Sequence, residues 1–178
     1  MLRFVLIFLG VLGGLFAFEV STIGGLYVVE PFTNALAKLS TWIIMLFDDD
    51  VQAFGKIIQS TANGFAVSIE RGCNGIEAVI ILIAALAAFP STWKQKAVGF
   101  GIGFLAIQAL NLVRIISLFY LGQWNMTWFH WFHLYLWQAL IILDALIVWL
   151  LWLRWVSRQN REQRAAAQAA AAAPAPAG

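Results

Sequence analysis

Apolar residues run in long stretches broken by short polar punctuation. A membrane helix needs about 20 mostly apolar residues. The first stretch runs from Phe4 to Phe18, just after Arg3; Glu19 interrupts it, and Val20 to Val29 can extend it. A short basic start before an apolar run also describes a signal peptide. No small-x-small cleavage site follows in FAFEVSTIGG, so the pattern predicts a retained span within residues 1–31. Pro31 is expected to break the chain. Phe32 to Phe47 is a weaker apolar segment holding Lys38, read as interfacial or re-entrant, with a second span as the alternative. Asp48-Asp49-Asp50 then marks a polar boundary. From Val51 to Glu70 the pattern is mixed, with one short β-like run, FAVSI. Residues 32–72 thus read as an interfacial, extracytoplasmic segment.

Three stronger spans follow within residues 73–157. Gly75 to Phe89 is apolar except for Glu77. Ala97 to Leu121 is apolar except for Gln108, Asn111 and Arg114. His133 to Trp155 is apolar except for Gln138, Asp144 and Arg154. The connection from Gly122 to Phe132 has no formal charge, is rich in Trp and reads as a loop. The tail, 158–178, is basic and then an Ala/Pro run, expected to be frayed or disordered. The fold class is therefore all-α, a polytopic transmembrane helical bundle of four spans with a short extracytoplasmic segment before Cys73.

Composition agrees. Of 178 residues, 62% are hydrophobic and 11% charged, against about 25% charged in soluble domains. A water-soluble globular domain, a disordered chain and a disulfide scaffold are excluded on that ground; membrane lipid is the expected surrounding, and no nucleic-acid partner is expected. One cysteine cannot form an internal disulfide.

Charge distribution gives the orientation. Arg3, Lys94, Lys96, Arg154, Arg158, Arg161 and Arg164 are seven bases against one acid, Glu162. Glu19 to Glu77 carries three bases against seven acids. The positive-inside rule puts the amino terminus, the Lys94/Lys96 loop and the tail in the cytoplasm. The Asp-rich and Trp-rich segments then lie outside, and the chain is expected in the inner (plasma) membrane.

Charged groups inside a membrane are costly and mark function by default. Arg114 lies about 17 residues beyond the cytoplasmic start of its span, about 26 Å, near the outer edge of a core about 30 Å thick. Cys73 precedes a span entering from outside, and His133 opens the last span at its outer end. Three independent boundaries thus set Cys73, Arg114 and His133 at one depth. Each has a plain alternative: an inert small hydrophobe for Cys73, snorkelling for Arg114, an interfacial anchor for His133 or His130.

The three residue types suit nucleophilic chemistry. A thiolate is favoured at a helix start and beside His or Arg, which predicts a depressed thiol pKa. A neutral His takes the thiol proton and returns it to a leaving amine. Arg stays charged and stabilises an oxyanion. Asn111, three residues before Arg114, shares its face and is read as orienting the guanidinium or making an interhelical hydrogen bond. Asn74 belongs to the turn at the helix start. Glu77, one turn beyond Cys73, is read as orienting Arg114 or Arg71, while raising the thiol pKa. Asp144 lies about 16 Å deeper than His133 and is paired with Gln108. Gly99, Gly101 and Gly103 are read as small residues admitting a foreign helix. His130 and His133 lack further ligands for a metal, so no metal or organic cofactor is implied.

The stretch from Glu70 to Trp155 resembles the exosortase/archaeosortase family of membrane-embedded transpeptidases. The matching motifs are GCNG at Gly72–Gly75, NLVR at Asn111–Arg114 and HLYLWQ at His133–Gln138. Glu77-Ala78, Phe89-Pro90 and Trp137-Gln138 look most like the exosortase H subgroup. The first 50 residues carry no recognised match. The resemblance implies a cysteine protease/transpeptidase with a Cys73, Arg114 and His133 catalytic set, His130 being the alternative base. It implies exported substrates with a carboxy-terminal sorting signal, made of a short motif, a hydrophobic helix and a basic cluster. It also implies transfer to a surface acceptor. Unrelated sortases use the same residue types, a convergence of chemistry. The rival readings are a non-enzymatic membrane assembly factor or receptor for exported proteins, and a haem or quinone protein using His130 and His133.

Overall fold

The computed structural model describes residues 2–172. Helix α1 (Leu2–Val20) is apolar almost throughout and long enough to cross a membrane. It packs on the helix Ile76–Ala88 (α4) and exposes most of its side chains, as a lipid-facing helix does. The break comes at Ser21, not Pro31. The Ser21 hydroxyl donates to Phe18 O (2.6 Å) and accepts from Gly24 N (3.0 Å), ending one helix and capping the next. A short α2 (Thr22–Gly24) runs through a π-helical turn (Gly25–Val29) into α3 (Glu30–Ile44). Pro31 is the second residue of α3, directly after the π-helical turn, and the backbone stays helical on both sides of it.

The segment after α3 folds into a three-stranded antiparallel sheet, order β1-β2-β3, made of β1 (Val51–Phe54), β2 (Ile57–Ser60) and β3 (Ala66–Ser68). The β-like run is the third of these strands; the other two were not anticipated. Val51, Ile58 and Ile69 point inward onto Leu36, Ala37 and Ile44 of α3 and onto Ile115 and Phe119 of the long helix α5 (Trp93–Trp124).

Helix α4 (Ile76–Ala88) has 13 residues, roughly 20 Å, and does not reach the length of a membrane crossing by itself. By length and composition three helices, including α1, are long and apolar enough to cross, and α4 is a shorter apolar helix beside them. Helix α4 is also largely buried against α1, α5 and α7, so it meets protein more than lipid. It ends before Pro90, and a Thr92/Gln95 capping box starts α5 (Trp93–Trp124). The expected Trp-rich loop is helical instead. Asn125 caps α6 (Met126–Trp131) through its side chain, and a π-helical turn (Phe132–Leu136) joins it to α7 (Trp137–Ala172). The Ala-rich run expected to fray is helical to Ala172; residues 173–178 lie outside the described residues. The product is a polytopic helical membrane protein with a small sheet at one end.

A second core lies toward the other end. Leu82 and Leu86 of α4, Ile107 of α5 and Ile141, Ala145, Trp152 and Val156 of α7 form it. Here Gly99 and Gly103 are filled by the protein itself. A Cβ on Gly103 would collide with Leu82, and one on Gly99 with Trp152. They admit α4 and α7, not a foreign helix; only Gly101 faces open space.

Candidate active site

The GCNG segment makes a tight cradle between β3 and α4. Gly72 has φ 79° and Gly75 has φ 77°, the left-handed region that side chains resist. These two reversals turn the chain from the sheet into α4 and leave Cys73 at the helix start. Asn74 is fully buried and holds the cradle from both sides. Its Oδ1 accepts from Ile76 N (3.0 Å), and its Nδ2 donates to Thr33 Oγ1 of α3 (3.1 Å). Cys73 N donates to Glu70 O (2.9 Å). Glu77 accepts from Gly72 N. It therefore braces the cradle, and no hydrogen bond joins it to Arg114 or Arg71.

Arg114 is 2% exposed. Its Nη1 donates to Gly72 O (3.3 Å) and its Nη2 to Cys73 Sγ (3.6 Å). Its buried Nε has no partner among the described residues, and it forms no ion pair there. A buried cation without a counter-ion is expensive to hold, so its field is left for an anion formed at the sulfur or beside it. His133 Nε2 stands 3.8 Å from the same sulfur. The three side chains set at one depth by the span boundaries thus converge on one atom.

Around them the picture differs from the sequence reading. Asn111 is fully buried but donates to Gln108 Oε1 (3.5 Å) on its own helix, and no bond to Arg114 is formed. Both amides line the close approach of Gly75, so Asn111 seats the cradle and does not orient the guanidinium. Asp144 has no bond to Gln108; its buried Oδ2 is without a partner among the described residues. His130 is exposed on α6 and makes no hydrogen bond to the thiol among the described residues. Phe129 escaped the sequence reading. Its ring stacks on His133 with centroids 5.6 Å apart and planes 9° from parallel. The signal was a four-residue spacing, hidden because that segment read as a loop. The buried His133 Nδ1 lacks a hydrogen-bond partner among the described residues, so the Phe129 face takes over the orienting task often given to an acceptor.

The thiol pKa also runs against expectation. Burial pushes the Cys73 thiol above its usual value; Arg114 pulls it down by a smaller amount, and Glu77 and Glu70 push it up. Desolvation of the anion outweighs the cation. The resting sulfur is therefore S–H, and chemistry at it needs a base.

An apolar groove of about 480 Å³ opens beside Gly72 and Gly75 and runs between α4 and α7, past Ala78, Ile142 and Leu146, to Phe4 and Phe8 of α1. No three His, Cys, Asp or Glu residues cluster for a metal among the described residues.

The site is thus a cysteine thiol with a His and an Arg side chain on its sulfur. A family model for transmembrane exosortases (Exosortase_EpsH) matches residues 1–143, and the chain belongs to that family. The match takes in the first 50 residues as well. No curated protein and no solved structure matches the chain. Family membership supports a membrane protease/transpeptidase role.

Proposed function

We propose that the chain is a cysteine transpeptidase/protease that cleaves the carboxy-terminal sorting signal of exported proteins and passes them to an acceptor nucleophile. The observation that carries this reading is the convergence of His133 Nε2 (3.8 Å) and Arg114 Nη2 (3.6 Å) on Cys73 Sγ. His133 takes the thiol proton at Nε2 as the sulfur attacks the scissile carbonyl carbon. Arg114 stabilises the oxyanion of the tetrahedral intermediate. The C–N bond then breaks, the leaving amine takes the proton from His133, and a thioester to Cys73 remains. An acceptor amine, hydroxyl or water, deprotonated by the same imidazole, attacks the thioester and releases the sulfur.

The basic excess at the Lys94/Lys96 loop and the tail supports a site on the outer face of the inner membrane. The apolar groove beside Gly72 suits the substrate's hydrophobic helix, whose outer end would then meet Cys73.

The test is conversion of a tagged substrate from precursor to mature form in cells, with Cys73→Ala and Cys73→Ser at matched expression. Both should stop conversion, a loss on the order of 10⁴-fold or more as for other nucleophile deletions, with insertion and thermal stability kept. Full conversion by Cys73→Ala would favour the assembly-factor reading.

A further inference from the structure

The sheet is asymmetric at its edges. α3 packs on β1 and β2, whereas β3 is the last strand of the sheet and no further strand pairs with it among the described residues. The register fixes which backbone groups are left over. Ser60 N donates to Phe65 O (2.8 Å) and Ile69 N donates to Lys56 O (3.0 Å). In an antiparallel pair, bonded and non-bonded positions alternate. Phe65, Val67 and Ile69 therefore bond toward β2. Ala66 and Ser68, opposite Gln59 and Ile57, turn their N–H and C=O groups outward.

Side chains leave the edge open. Phe65, Val67 and Ile69 face the core, while Ala66 and Ser68 are exposed, small and uncharged. Natural edge strands are usually blunted by charge, proline or a bulge; β3 itself carries neither charge nor proline, and the nearest charges are at its end toward the cradle, where Glu70 accepts from Ser68 Oγ (2.7 Å) and pairs with Lys56 (2.6 Å). β3 also leads directly to the cradle. Ser68 stands five positions before Cys73, at most about 17 Å of extended chain. Val67 and Cys73 pack against the same cluster of Ile69, Ile115 and Phe119.

We infer that β3 is the peptide-docking edge of the site: an extended substrate segment next to the scissile bond pairs with the outward N–H and C=O groups of Ala66 and Ser68. The inference rests on the protease/transpeptidase reading above. Main-chain pairing gives affinity without reading side chains, and it fixes the extended backbone whose carbonyl must meet Cys73. The largely apolar groove suits a helix, whereas β3 offers an extended backbone alternating donors and acceptors, so the two surfaces take different parts of one substrate.

Ala66→Pro removes an outward N–H and leaves every bond to β2 in place, because edge positions tolerate proline. With purified protein in detergent and a peptide substrate, its KM should rise about fivefold, the value of one net hydrogen bond, while kcat stays near wild type. Ala66→Val keeps the N–H and should stay well below that KM. In the reciprocal experiment on the wild-type protein, N-methylation of the substrate backbone at alternate positions beside the scissile bond should raise KM, and methylation at the intervening positions should not. Should Ala66→Pro disturb folding, the N-methyl scan decides alone. An unchanged KM in that scan overturns the inference, as does an Ala66→Pro effect confined to self-association seen by crosslinking. If the wild-type protein cleaves no substrate, the enzyme reading itself falls, an outcome separate from cleavage that ignores the edge.

Discussion

The two cores of the molecule are built differently. One, where α4, α5 and α7 meet, is almost wholly apolar and closes by glycine contact, with Gly99 and Gly103 pressed against Trp152 and Leu82. Lipid is as apolar as leucine, so helices inside a membrane gain by close packing more than by burial. The other, under the sheet, resembles a soluble core. The amphipathic α3 and three short strands cover Ile115 and Phe119, and buried polar groups such as Asn74 and Thr33 find partners. The GCNG cradle lies at the seam between them. The apolar core holds the long helices still; the mixed core supplies the hydrogen bonds that hold a loop. A thiol site in a membrane needs both, because a buried loop must satisfy its backbone locally.

Substitutions at the seam should change rate and spare stability, and those in the apolar core should do the reverse. After the Cys73 variants, the largest effect is expected for Arg114→Gln, which removes the donor on the sulfur and the Gly72 carbonyl. Its rate of substrate conversion should fall about 10²–10³-fold, as for loss of an oxyanion donor. The same variant carries a pH signature. The Cys73 thiol already sits above its usual pKa, and Arg114 is the group drawing it down. Without that cation the pKa rises further, so the thiolate fraction at any pH below it falls. Alkylation of Cys73 by iodoacetamide should be slower than in wild type at pH 8, and the gap should close as pH rises past both values. Faster alkylation in Arg114→Gln would break the account.

His133→Ala should lose at least about 10²-fold in conversion rate, the lower end for general acid–base catalysis, while His130→Ala stays within a few-fold. The reverse ranking would transfer the base role to His130 and leave the rest of the mechanism standing.

Gly103→Leu belongs to the other side of the comparison. Its side chain has to displace Leu82 and Val148, an overpacking worth about 1–3 kcal/mol. It should lower the melting temperature in detergent while leaving the per-molecule rate of the folded fraction intact. A rate loss equal to that of Arg114→Gln would show that the two cores do not divide the work.

The smallest effect is expected for Phe129→Ala. A stacked aromatic pair is worth about 0.5–1.5 kcal/mol, so conversion should slow about 2- to 10-fold, and Phe129→Tyr should restore most of it. Alkylation of Cys73 should be unchanged, since Phe129 touches the base and not the thiol.

Much of this was legible because it is one-dimensional. The lengths of apolar runs between polar breaks located α1, α5 and α7, since crossing about 30 Å of hydrocarbon sets a minimum run. The positions of Cys73, Arg114 and His133 relative to those breaks gave their common depth, because 1.5 Å per residue converts sequence into distance. Tertiary contact decided the rest. The Trp-rich connection carries no charge or proline to end a helix, and its absence of long apolar periodicity concealed that α6 continues into α7. Which glycines are filled depends on which helix lies opposite, and Gly103 meets Leu82, 21 positions earlier in the chain. The direction of the Cys73 pKa was misread for the same reason. Local sequence shows the helix start and the charged neighbours that favour a thiolate; desolvation depends on everything packed around the sulfur, and only the folded chain reveals that it wins.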